Sequence, residues 1–110
     1  MKTIFFFSIV GLLSFSSRIY AQITTEASIS EFTYEGVDFY NAHTYKEAII
    51  SFNKAIKENP KDGKAYYYRG MSKMHDGQKG FCKDLEESLI LGYSTSADIY
   101  YYGCETHAGK

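Results

Sequence analysis

Tryptophan is absent from the 110 residues, proline occurs once and cysteine twice. The charges nearly cancel, 12 Lys and Arg against 13 Asp and Glu, so no basic excess suits the chain to nucleic acid. No Gly-rich phosphate loop, Gly-x-Ser-x-Gly turn or dinucleotide fingerprint occurs, and no His-Glu-x-x-His spacing gathers metal ligands. No segment shows the two-residue alternation of a strand. The longest apolar run, from Ile4 to Phe15, falls short of the roughly 20 residues a membrane-spanning helix needs. The length leaves room for one small domain and excludes a multidomain enzyme. A catalytic site has no residues to stand on, and no metal or cofactor is implied.

What is present in quantity is tyrosine, with eleven residues, in a chain that is 45% hydrophobic and 23% charged. Such a composition folds rather than staying disordered. Residues 1–21 begin with one lysine, continue through an apolar run and end on the small residue Ala21. This three-part layout predicts a secretory signal peptide, with a buried or anchoring N-terminal helix as the competing reading. An exported protein, periplasmic or secreted, is therefore expected, with residues 22–28 as a linker.

From Ser30 onward the apolar spacing is helical. Phe32, Gly36, Phe39 and Tyr40 share one face of a helix over 30–41, and His43-Thr44 interrupts it. A second helix over 45–58 carries Ala48, Ile49, Phe52, Ala55 and Ile56, and Asn59-Pro60 ends it because the residue before proline leaves α geometry. A third runs over 64–74 and is broken by Asp76-Gly77. A fourth covers 80–91 and stops at Gly92. Ser94-Thr95-Ser96 offers capping oxygens for a short fifth helix reaching Cys104. Glycine recurs at 36, 70 and 103, spaced 34 and 33 residues apart. A mid-helix glycine costs about 1 kcal/mol against alanine, so its recurrence predicts a repeated close approach of a partner helix. A period of this length built from helix pairs marks a helical solenoid.

These residues resemble the tetratricopeptide repeat family. Phe32, Gly36, Phe39, Ala48, Phe52, Ala55 and Pro60 stand at the family's spacing, with only Glu35 off-pattern where leucine is usual. The second repeat is looser. Tyr66 and Gly70 fit, Lys73 replaces an aromatic, the turn before Phe81 is one residue short, and Phe81 stands where alanine is normal. The resemblance implies an all-α antiparallel helix-pair solenoid over 29–104. Repeat 1 takes 29–62, repeat 2 takes 63–95 and a capping helix takes 96–104, followed by a flexible tail over 105–110.

The resemblance also implies a function: a concave groove, lined by the first helix of each pair, that receives a peptide or partner protein. The groove residues would be Ser30, Thr33, Val37, Tyr40 and Asn41 from repeat 1, and Lys64, Tyr67, Met71, Met74 and His75 from repeat 2. Tyrosine suits recognition because it presents a rigid aromatic face with a hydroxyl. The Lys/Asn/Arg set with which some family members clamp a C-terminal carboxylate is missing, since Thr33, Val37 and Tyr68 occupy three of its places. Self-association into a larger envelope assembly, giving a homo-oligomer, is the alternative, suggested by Tyr100–Tyr102 and an unfinished third repeat. In the family's geometry Cys82 faces the next helix, which carries Cys104. A structural disulfide is expected there, closing about 22 residues for roughly 3 kcal/mol; two buried free thiols, a redox pair and a zinc site with His107 are the alternatives. Asp84, Glu86 and Glu87 are expected on a solvated helix face.

Overall fold

The computed structural model describes residues 29–105. Within them the chain is all-α, with no strand: α1 is Glu31–Asn41, α2 Tyr45–Glu58, α3 Gly63–His75, α4 Phe81–Ile90 and α5 Ser96–Tyr100. The single helix expected to reach Cys104 divides instead into α5 and a π turn over Tyr101–Glu105. The expected signal peptide, the linker and residues 106–110 lie outside the described residues. Glu105, the first residue of the expected tail, belongs to the π turn.

Each helix packs on its neighbours in sequence, and α1 also lies against α3. That nearest-neighbour order is the architecture of a helical repeat. The core sits between α2 and α3, where Ala48, Phe52, Ala55 and Ala65 are wholly buried under Phe32, Val37, Phe39, Tyr40, Ile56 and Tyr68. Three alanines around one phenylalanine let the helices approach closely while the large ring fills the space between them.

The glycines are not equivalent. A Cβ on Gly36 would lie 2.5–2.8 Å from three atoms of the Phe52 ring. One on Gly70 would meet the Phe81 carbonyl oxygen at 3.1 Å and Asp84 Cβ at 3.2 Å. One on Gly103 would meet nothing within 4 Å. The recurrence therefore marks a packing requirement twice, not three times, because no described helix lies over Gly103.

The helix ends follow a common design. In α1, α3 and α4 a residue with positive φ follows the last turn, and its own amide and that of the next residue bond back to carbonyls of that turn. Glycine fills that place at Gly77 and Gly92, whereas after α1 it is His43, with φ 61°. At the other ends, Ser30 Oγ accepts from Phe32 N (3.2 Å) and Asp62 Oδ1 accepts from Ala65 N (3.1 Å).

Candidate functional site

The half-exposed side of α1 and α3 carries a continuous chain of aromatic rings. Tyr67, Met71, Met74 and His75 recur along α3 at helical spacing and so share a face. Tyr40, near the end of α1, meets Tyr68 edge-on at 5.3 Å, Tyr45 at 5.7 Å and the His75 ring at 5.9 Å. Its hydroxyl lies 3.4 Å from His75 Nε2. Tyr45 stacks on His75 at 4.9 Å and pairs its hydroxyl with His43 Nδ1 at 2.8 Å. Toward the other end, Tyr67 meets Tyr68 at 5.0 Å and Tyr93, in the loop after α4, at 5.3 Å. The row thus joins three parts of the chain that lie far apart in sequence: the turn between α1 and α2, helix α3, and the loop after α4.

The residues named from the sequence divide accordingly. Tyr40, Tyr67 and His75 belong to the row. Val37 and Met71 are half-buried, Val37 against the core, while Asn41 and Met74 are exposed. Lys64 lies with its ammonium 5.6 Å from the centre of the Tyr34 ring. Thr33 is a correction. It is wholly buried and donates its hydroxyl to Asp62 Oδ2 at 2.6 Å, which ties α1 to the start of α3 and leaves nothing for a partner. Ser30 is likewise engaged, donating to Glu58 Oε2 at 2.6 Å. Tyr45, Tyr93 and His43 were missed as members of the row. Tyr45 had the role of opening a helix, and Tyr93 lies outside any periodic segment.

Burial, with lesser contributions from Tyr45 and Tyr68, raises the Tyr40 phenol above its ordinary pKa. Tyr67 is raised in the same way, by burial first and then by Tyr40, Tyr68 and Tyr93. Both hydroxyls therefore stay neutral and offer a donor and an acceptor beside an apolar ring.

Away from this row, Asp84 overturns the expectation of a solvated position. It is 4% exposed and receives Arg69 through two bonds, Nε to Oδ2 at 2.9 Å and Nη2 to Oδ1 at 2.6 Å. Lys73 adds a third contact at 2.8 Å, and Arg69 Nη1 reaches Asn53 Oδ1 on α2 at 3.0 Å. The lysine that departs from the family's aromatic position thus pairs a buried carboxylate. Asp84 faces α3 because Gly70 lets α4 come close there. Glu86 is exposed, as expected.

Cys82 and Cys104 are joined, with a Cα–Cα distance of 5.7 Å, within the range of an ordinary disulfide. Bridged sulphurs are not thiolate ligands, and the described residues hold no group of three His, Cys, Asp or Glu side chains able to take a metal; His107 lies outside them. No described helix is long and apolar enough to cross a membrane.

No family profile and no solved structure matches the chain. Among curated proteins it is 31% identical over 75 residues to Hsp70-Hsp90 organizing protein 2 of Arabidopsis thaliana, and equally so to organizing protein 3 of that plant. It is 28% identical over 75 residues to the Hsp70-Hsp90 organizing protein of Triticum aestivum. In each case the match covers 62% of this chain and 13% of the relative. The likeness to these organizing proteins contradicts the exported, periplasmic or secreted location expected above. The relatives contain tetratricopeptide repeats and are adaptors rather than enzymes. Over this partial region the likeness supports a repeat of that type, serving protein–protein interaction.

Proposed function

We propose that residues 29–105 form a tetratricopeptide-type module of two repeats and a cap that holds an extended peptide or a partner protein along α1 and α3. The observation that carries this is the unbroken row from Tyr45 and His75 through Tyr40, Tyr68 and Tyr67 to Tyr93. Rigid, half-exposed tyrosine rings offer apolar contact and hydrogen bonding together, at little entropic cost. Binding energy in such interfaces concentrates in a few aromatic anchors. The partial likeness to organizing proteins of Hsp70 and Hsp90 supports a protein partner and makes those two chaperones the first to test. The absence of the cationic carboxylate-clamping set at Thr33, Val37 and Tyr68 argues for recognition through the aromatic row instead.

The test is in-cell cross-linking with a photoreactive residue at Tyr67, compared with the same residue at exposed Lys57 on α2. Capture of one defined protein from position 67 and not from 57 is expected. Equal capture from both, or none from either, refutes the proposal. A second reading, self-association through the far end of the domain, is favoured by the exposure of Ile90 (71%), Tyr101 (55%) and Tyr102 (78%). A monomer in sedimentation at high protein concentration removes it.

A further inference from the structure

The disulfide joins the first turn of α4 to the π turn beyond α5. α5 has five residues and rests on α4. A helix that short has no stability of its own. Apart from packing and the bridge, its anchor is the hydroxyl of Ser96, which donates to Ser88 Oγ at 2.7 Å. Ser88 in turn donates to the carbonyl of Gly63 at 2.8 Å, where α3 begins. Both serines are wholly buried. Between α4 and α5 stands Tyr93, the last ring of the aromatic row. The bridge, the seating of α5 and the completeness of the row are therefore one mechanical unit. The bridge is also approachable. Cys104 is buried, but Cys82 is only half-buried, and both border an open cavity of about 330 Å³ shared with Lys83 and Tyr100.

We propose that the Cys82–Cys104 disulfide is a redox latch, whose reduction by a dithiol releases α5 and withdraws Tyr93 from Tyr67 while α1–α4 stay folded. In the step, one reductant thiolate attacks a cysteine sulphur, breaking the S–S bond and forming a mixed disulfide. The second reductant thiol, as its thiolate, displaces the protein sulphur. Two electrons pass to the protein, Cys82 and Cys104 end as thiols, and the reductant ends as a disulfide. The rest of the domain keeps its own supports, since its core lies between α2 and α3 and the Asp62 and Asp84 contacts do not involve α5. An effect on partner holding rests on the function proposed above; the latch itself does not.

Hydrogen exchange of the full chain, oxidised and then reduced with dithiothreitol, tests this directly. Protection over residues 96–105 is expected to fall on the order of a hundredfold, the chain-entropy value of a loop of this length. The amides of α1–α3 stay protected, and the Tyr93 ring resonances shift while those of Tyr40 do not. The Cys104→Ser variant should reproduce the released state without reductant. Unchanged protection at 96–105 in the reduced protein or in the variant overturns the latch, because packing alone would then hold α5. Loss of protection throughout α1–α4 also overturns it, because the bridge would then be a staple for the whole domain.

Discussion

Replacing Gly36, Gly70 and Gly103 by alanine, one at a time, separates packing from periodicity. Each change removes an intrinsic penalty, worth about 1 kcal/mol in a helix interior. The steric costs differ. At Gly36 the new methyl falls 2.5–2.8 Å from three ring atoms of Phe52, which is wholly buried and walled by Ala48, Ala55 and Ala65. Overpacking of a close-packed core costs about 1–3 kcal/mol, and this site belongs at the upper end because the ring has nowhere to retreat. The net expectation for Gly36→Ala is a loss of about 1–2 kcal/mol. At Gly70 the nearest atom is a backbone oxygen at 3.1 Å, so a shift of a few tenths of an ångström in α4 nearly cancels the propensity gain. At Gly103 no atom lies within 4 Å, and only the gain remains, reduced because the residue sits in a π turn. Urea and thermal unfolding of oxidised protein, followed by far-UV circular dichroism, measures all three. For a domain of this size 1 kcal/mol moves Tm by about 4–8 °C, so the order 36 below 70 below 103 is easily resolved. If Gly36→Ala is as stable as the parent, or Gly103→Ala is the most damaging, the account of the core is wrong.

Asp84→Asn leaves Arg69 and Lys73 facing each other without their shared carboxylate; because those two side chains are 17% and 20% exposed and can hydrate, the expected loss is about 2 kcal/mol, below the cost for a fully buried pair, and urea unfolding measures it. His43→Gly relieves a left-handed backbone at φ 61° and should raise stability by about 1 kcal/mol, less the lost contact with Tyr45; a lower Tm than the parent contradicts this. Alkaline unfolding follows from Tyr40 and Tyr67, whose folded pKa values lie above the ordinary 10.0. The unfolded chain ionises first, so their contribution is whole below pH 10 and is lost as pH rises from there through the folded values. Tyr67→Phe should flatten that decline in a pH series of unfolding curves.

The helices were legible because their evidence is local. The stripe Ala48, Phe52, Ala55, the break at Asn59-Pro60 and the stop at Gly92 each act within a turn or two, and the structure follows them to within a residue or so. Thr33 and Asp84 were misplaced for a common reason. Each is polar and by composition belongs to the surface, yet each is buried because a partner from another helix, Asp62 or Arg69, satisfies it. Such pairs are separated by 29 and 15 residues, and no periodicity within one helix reports them. The aromatic row was half visible for the same reason. Tyr40 and Tyr67 follow from helical spacing, while Tyr93 joins only because a loop returns to α3.

The order of residues alone determined that residues 29–105 are helical, where the helices turn and that glycine recurs at the spacing of helix pairs, because backbone preference and apolar periodicity are properties of short segments. Tertiary structure alone decided which polar groups are buried, which glycine is idle and which rings form one surface, because those depend on atoms brought together from distant parts of the chain, whose separation in sequence carries no record of their distance in space.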